Sequence, residues 1–287
     1  MNPMAQMWAE LEVEISGDAQ EIAGALLMEV AGCAGWSATP QTVRGYLPVD
    51  DRLENALFAL RNALDETPEL TAFDRDVTVR RIAEEDWADA WKQYFKPQRI
   101  GNRIVVKPTW ETFDAESGDL VLQIDPGMAF GTGLHATTRL CLRALEEMVK
   151  PGMTVADVGT GSGILAVGAA LLGATRIEAT DNDTLAVRVA QENVRVNNVE
   201  SVVTAEELSV PPPGAFDIVV ANILADVILG MKAELFAATR PGGVLIASGI
   251  IDARADDVRR GLQSAGFLSP KTHNEGEWVA LVTRRPE

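Results

Sequence analysis

Between Trp8 and Ser16 the chain alternates, with Leu11, Val13 and Ile15 apolar and Glu10, Glu12 and Glu14 acidic. A period of two puts the apolar set on one face of a half-buried strand. Asp18 can cap the helix expected in AQEIAGALLMEVAG. Short extended pieces are expected at 34–39 and 42–49. A helix follows in DRLENALFALRNALDE, where Leu53, Leu57, Leu60 and Leu64 share a face. DVTVRRI reads as one more strand. The order β-α-β-β-α-β predicts a small ferredoxin-like domain over residues 1–82.

The pattern then changes. In EEDWADAWKQYFKP the aromatic residues Trp87, Trp91 and Phe95 recur every fourth position, which lines one helical face, and Pro97 stops the helix. Residues 83–98 are read as a linker helix. The stretches Phe73–Asp76 and Pro97–Gly101 are candidate hinges. RIVVKPTWE and DLVLQID look like a hairpin opening a second domain over residues 99–287. From about residue 135 helices and apolar strands alternate. TVADVG, RIEATD and SVVTA each follow a helical stretch, FDIVVANI is a further apolar strand followed by a helix in ADVILGMKAELFAAT, GGVLIASGI is the next strand, and two extended pieces, FLSPKTHNE and EWVALVTRR, close the chain. This alternation predicts a parallel sheet with helices on both faces, whose ligand binds beyond the carboxyl ends of the strands.

The length of 287 residues suits two domains, and 47% apolar residues suffice for buried cores. A net charge of −17, from 42 acids and 25 bases, argues against a nucleic-acid backbone as partner and permits attraction to a basic protein. The two cysteines, Cys33 and Cys141, form no CxxC pair and read as core thiols in a reducing compartment. No metal site is expected. No uncharged apolar run is long enough to span a bilayer and the N-terminus does not read as a secretion signal, so a cytoplasmic location without membrane attachment is expected.

Two glycine-rich stretches carry the candidate chemistry. DVGTGSG, from Asp157 to Gly163, ends one strand and opens a helix. Glycine there permits positive φ and close approach of a ligand to backbone N–H groups; the bland alternative is a tight strand–helix turn. A dinucleotide is a rival occupant, but the G-x-G-x-x-G spacing is missing, and the Asp157 carboxylate suits a cationic amino group better than a pyrophosphate. Asp181 ends the next strand, 22 residues after Gly159, where a carboxylate can accept hydrogen bonds from two ribose hydroxyls. Its alternative role as a helix cap can fall to Asp183. An amino-acid end at the turn and a ribose at the second strand together describe S-adenosylmethionine. Asn222 ends FDIVVAN, beside the place of a transferred methyl, and offers both donor and acceptor. NILA lacks the Asn-Pro-Pro-aromatic pattern of methyltransferases acting on nucleobases or glutamine amides.

DPGMAFGTGLHATTRLCL, DVGTGSGILA and VVANILA together resemble the ribosomal protein methyltransferase A (PrmA) family. EEDWADAWKQYFKP is similar to that family's linker and EWVALVTRR to its last strand. Leu134 and Ala136 depart from the family's usual Thr and Pro. The resemblance implies a Rossmann-like class I S-adenosylmethionine-dependent methyltransferase domain, with a mostly parallel seven-stranded sheet, behind a small α+β ferredoxin-like domain that holds the substrate. It implies methylation of amino groups, on lysines or the N-terminal amine, of ribosomal protein L11. Phe130, Gly131, Thr132 and Gly133 would form a lid over the methionine end of the cofactor, and Thr138 would hydrogen-bond it. Gly159, Asp181 and Asn222 match further cofactor positions, beside Asp157 and Gly161, and Asn222 would orient the amine with no dedicated base. His135 is expected to be structural. The rival readings are a methyltransferase acting on another protein, RNA or a small molecule, a nicotinamide-dependent oxidoreductase, and a non-catalytic adapter.

Overall fold

The computed structural model describes residues 7–17, 19–33, 36–50, 52–83, 96–125, 135–210, 213 and 216–287. The expected cap Asp18, the aromatic stripe of the linker helix and the loop residues Phe130–Gly133 lie outside the described residues. Those described form two compact units that divide between Lys96 and Pro97.

The first unit contains β1 (Met7–Val13), α1 (Ala19–Glu29), β2 (Trp36–Ala38), β3 (Val43–Pro48), α2 (Leu53–Glu66), a short 3-10 turn (Pro68–Leu70) and β4 (Thr78–Ala83). The strands form one antiparallel sheet in the order β2-β3-β1-β4. Ala9, Leu11 and Val13 face one side of it and meet Leu53, Leu57, Leu60 and Leu64 of α2 in a common core. The acids between them face the other side, where Glu10 accepts from the Tyr46 hydroxyl at 3.0 Å and Glu12 pairs with Arg44. Cys33 lies in this core, and burial pushes its thiol up to about 12.

The second unit opens with β5 (Gln98–Arg99), β6 (Ile104–Lys107) and β7 (Leu120–Gln123). The expected hairpin is corrected here: β6 and β7 pair in parallel, and the antiparallel partner of β6 is β5. Residues 108–119 supply the crossover of a dozen residues that a parallel pair needs, and Arg99 pins its far end through two bonds to Asp119.

The remaining elements are α3 (Ala136–Met148), β8 (Thr154–Val158), α4 (Ile164–Leu171), β9 (Arg176–Asp181), α5 (Thr184–Val196), β10 (Val203–Glu207), β11 (Phe216–Asn222), α6 (Ala225–Gly230), α7 (Lys232–Ala238), β12 (Thr239–Ile251), α8 (Asp252–Ser264), β13 (Lys271–Glu275) and β14 (Trp278–Arg284). The single helix expected over ADVILGMKAELFAAT is two, broken after Gly230, whose residue type disfavours a helix interior. The seven strands run β10-β9-β8-β11-β12-β14-β13. All are parallel except β14, which is antiparallel to both neighbours. One face packs on α3, α4 and α5, around Leu142, Leu165 and Val220. The other packs on α6, α7 and α8, around Phe216, Leu235 and Val258. The central strands are therefore buried on both faces, which is why β8, β11 and β12 read as continuous apolar runs, while the edge strands β10 and β13 keep exposed positions. No helix among the described residues is long and apolar enough to cross a membrane.

Candidate functional site

The parallel register sets the site. Val158 pairs with Thr180 and Ala221 pairs with Val158, so the next residues, Gly159, Asp181 and Asn222, stand in one row across β8, β9 and β11. Ser248 of β12 lies opposite Asn222 in the same row. The row ends the strands at their carboxyl side, where backbone groups are no longer committed to the sheet.

The β8–α4 turn is shaped by three glycines with positive φ: Gly159 at +69°, Gly161 at +54° and Gly163 at +80°. The N–H groups of Gly159 and Thr160 both donate to the Thr180 carbonyl, at 2.8 and 2.9 Å. The Gly161 N–H donates to Asp181 Oδ2 at 2.9 Å. Asp181 Oδ1 accepts from the Asp183 N–H at 3.0 Å. The cap of α5 is Asp183, which accepts from the Leu185 N–H at 2.8 Å. Asp181 is therefore free of capping duty and stays half-buried with acceptor capacity left.

Asp157 is fully buried. Its Oδ2 accepts from the Thr160 hydroxyl at 2.6 Å and from the Ala166 N–H at 3.1 Å, so the carboxylate satisfies the first turn of α4 from below. Its Oδ1 has no partner among the described residues. Burial pushes this carboxyl up to about 7, against the two donors, which pull it down.

Asn222 reaches from the row to α3, its Nδ2 donating to Thr138 Oγ1 at 3.4 Å. Its Oδ1 is buried without a partner among the described residues. An unpartnered buried amide oxygen is costly and marks a place for a donor. Thr138 is fully buried one turn from Cys141, which belongs to the adjoining core and whose thiol burial pushes up. Thus Thr138, Asp157, Gly159, Gly161, Asp181 and Asn222 surround the same strand ends. Phe130, Gly131, Thr132 and Gly133 are among the residues not described.

His135 caps α3: its Nδ1 lies 2.8 Å from Thr137 Oγ1 and accepts from the Thr137 N–H at 3.4 Å. The ring meets Trp278 edge to face, with centroids 4.7 Å apart. Burial, helped by the Arg139 charge, pulls its pKa down to about 4. Arg139 and Arg143 both hold Glu275 of β13, anchoring α3 to the far edge of the sheet.

Sequence reasoning missed Ile223 and Gly249. Ile223 follows Asn222 and wedges between two glycines. A Cβ at Gly159 would lie 2.3 Å from Ile223 Cγ2, and one at Gly249 would lie 2.4 Å from the Ile223 carbonyl oxygen. The Ile223 N–H donates to the Ser248 carbonyl at 3.1 Å, which completes the clamp. The available signal was a glycine just past the apolar run VLIAS.

A family model described as ribosomal protein L11 methyltransferase (PrmA) matches residues 7–286. Among curated relatives, the ribosomal protein L11 methyltransferase of Pelotomaculum thermopropionicum is 52% identical over 244 residues, covering 84% of this chain and 79% of that one. The protein of the same name from Geobacter metallireducens is 46% identical over 284 residues, covering 97% and 93%. A crystal structure of a ribosomal protein L11 methylase from Lactobacillus delbrueckii subsp. bulgaricus aligns with a TM-score of 0.62 at 33% identity, covering 67% of this chain and all of that one. With nearly all of both units inside the matched span, the chain belongs to the ribosomal protein L11 methyltransferase (PrmA) family.

Proposed function

We propose that this chain transfers methyl groups from S-adenosylmethionine to amino groups of ribosomal protein L11, on lysine side chains, the N-terminal amine, or both. The observation that carries the reading is the row of Gly159, Asp181 and Asn222 with an unpartnered amide oxygen at one end. The residues present fit the cofactor. Asp181 would accept from ribose hydroxyls, the glycine turn with Gly161 would admit the amino-acid end, and the spare oxygen of Asp157 lies beneath that turn. Thr138 would hydrogen-bond the same group, and Phe130, Gly131, Thr132 and Gly133 would cover it. When bound, S-adenosylmethionine supplies an electrophilic methyl group and a thioether leaving group.

The acceptor amine must be neutral to attack. Neutralising a lysine at pH 7 costs about 4.6 kcal/mol and an N-terminal amine about 1.4 kcal/mol. Desolvation and a nearby positive charge both favour loss of that proton. Asn222 Oδ1 would accept from an amine N–H and fix the lone pair toward the methyl. His135 is read as structural: its Nδ1 caps α3 and burial lowers its pKa to about 4. Alignment then supplies most of the catalysis. We assign substrate recognition to residues 1–82 and the connecting role to residues 83–98, with residues 99–287 as the catalytic domain. The negative charge of the chain favours a basic protein substrate over nucleic acid.

The test is to titrate the chain with S-adenosylmethionine and with NAD by calorimetry, then to weigh ribosomal protein L11 by mass spectrometry after incubation with the enzyme and cofactor. Binding of S-adenosylmethionine alone, with mass added in methyl increments, supports the reading. NAD binding, or an unchanged mass, refutes it.

A further inference from the structure

We propose that Leu224 and Val227 form an apolar ledge at the mouth of the site, against which the aliphatic stem of an acceptor lysine lies while its amine meets Asn222. This rests on the amine-methylation reading above and names the part of the substrate that the site measures.

Leu224 is 58% exposed, the most exposed large apolar side chain among the described residues of the second unit, and Val227 is 47% exposed. They stand three residues apart at the start of α6, so they share one face. Their neighbours Ala225 and Ile228 are buried, so the exposure is directed and does not come from a helix lifted off the sheet. Nor is the segment loose. Ile223, between Asn222 and Leu224, is clamped by Gly159 and Gly249, and the Val227 N–H donates to the Leu224 carbonyl at 3.0 Å. A pair of exposed apolar side chains that begins two residues after an unpartnered buried acceptor suits an occupant with two parts. One part must be apolar and the other an N–H donor. A lysine has both, because its four-carbon stem packs on apolar surface while its amine makes polar contacts. Asp226, between the two ledge residues, is exposed and engaged by Arg254, which also pairs with Asp257, so the charge of that guanidinium is compensated. An N-terminal α-amine has no such stem and would gain nothing from the ledge.

Leu224→Ser separates these cases. The variant should bind S-adenosylmethionine as the wild type does, which also reports an intact fold. Its rate at lysine sites of ribosomal protein L11, read by peptide mass spectrometry, should fall about tenfold, the equivalent of about 1.4 kcal/mol. The rate at the N-terminal amine should stay within twofold, and Leu224→Met should restore the lysine rate. An unchanged lysine rate overturns the ledge, as does an equal fall at both kinds of amine or a wild type that modifies only α-amines. A shift in oligomeric state on substitution, seen by light scattering, would give the patch to a second copy and also overturns it. If the wild type neither binds S-adenosylmethionine nor modifies any amine, the proposed function itself fails.

Discussion

Adding one methyl group, as Gly249→Ala, tests the clamp on the strand ends. Gly249 has a φ of +81°, a region that costs an L-residue about 1–2 kcal/mol. The new Cβ would lie 2.4 Å from the Ile223 carbonyl oxygen and 2.8 Å from its carbon. These are backbone atoms, and the Ile223 N–H is already bonded to Ser248, so the neighbour cannot swing aside. Forcing an extra carbon into such a contact costs about 1–3 kcal/mol. The two contributions together predict a loss of about 2–5 kcal/mol, which for a unit of this size lowers its melting temperature by about 5–15 °C. Scanning calorimetry of the full chain, following the transition of the second unit, measures it. Gly230→Ala is the control: nothing lies within 4 Å of a Cβ there and its φ is not positive, so the variant should be neutral or slightly stabilised. Because the clamp sets Asn222, methyl transfer by Gly249→Ala should fall more than affinity for S-adenosylmethionine. A melting temperature within 1 °C of the wild type would refute the steric reasoning, whatever the activity.

Asp181→Ala should weaken S-adenosylmethionine binding at least tenfold by calorimetry, since a charge-assisted bond is worth about 1.5–3 kcal/mol. It should also lower stability modestly, because the Gly161 and Asp183 N–H groups lose their acceptor; unchanged affinity would end the ribose assignment. His135→Ala should cost about 1 kcal/mol as a lost cap, while His135→Asn keeps most of the stability and of kcat; a collapse of kcat in the Asn variant would make His135 a base. Burial pushes Asp157 up to about 7 in the folded chain from an ordinary value of 3.8, so the folded chain binds the extra proton between those values. Stability due to this proton is full below the unfolded pKa and is lost as pH rises through the folded one. Between pH 5.5 and 7 the wild type should therefore lose about 2 kcal/mol relative to Asp157→Asn in urea unfolding, and parallel pH profiles would contradict the burial argument. A chain starting at residue 84 should bind S-adenosylmethionine but not methylate ribosomal protein L11; methylation at the full-length rate would remove the recognition role of residues 1–82.

What the sequence made legible was local. Gly159 directly follows an apolar strand and Asp181 and Asn222 each end one, and a strand end before a helix is visible in one dimension. The buried faces of α2 and of the parallel strands were visible for the same reason, because periodicity reports burial. Periodicity carries no direction, however, so the β6 and β7 segments suggested a hairpin although their 12-residue connection makes them parallel. Asp157 shows a second limit. Its residue type and place suggested a partner for a cationic ligand group, and the structure adds an occupation inside the fold, since Thr160 and Ala166 hold one of its oxygens. Those donors come from a turn whose path depends on three positive φ angles, which sequence spacing suggests but does not assemble.

Ile223 and Gly249 were illegible for a deeper reason. Their contact joins residues far apart in the chain, and its meaning depends on the register that sets Asn222 opposite Ser248. A slip of one residue would turn Asn222 to the other face of the sheet and away from Thr138. The clamp therefore does for Asn222 what the hydrogen bonds from Gly161 and Asp183 do for Asp181: it uses backbone contacts to hold a polar side chain at the last residue of its strand. Reactive geometry has to be held to within fractions of an ångström if alignment is the main source of rate. A site without a dedicated base leans on that rigidity more than one with a base. It follows that Gly249, which has no place in the cofactor or substrate contacts of this reading, should be as intolerant of substitution as Asn222 itself.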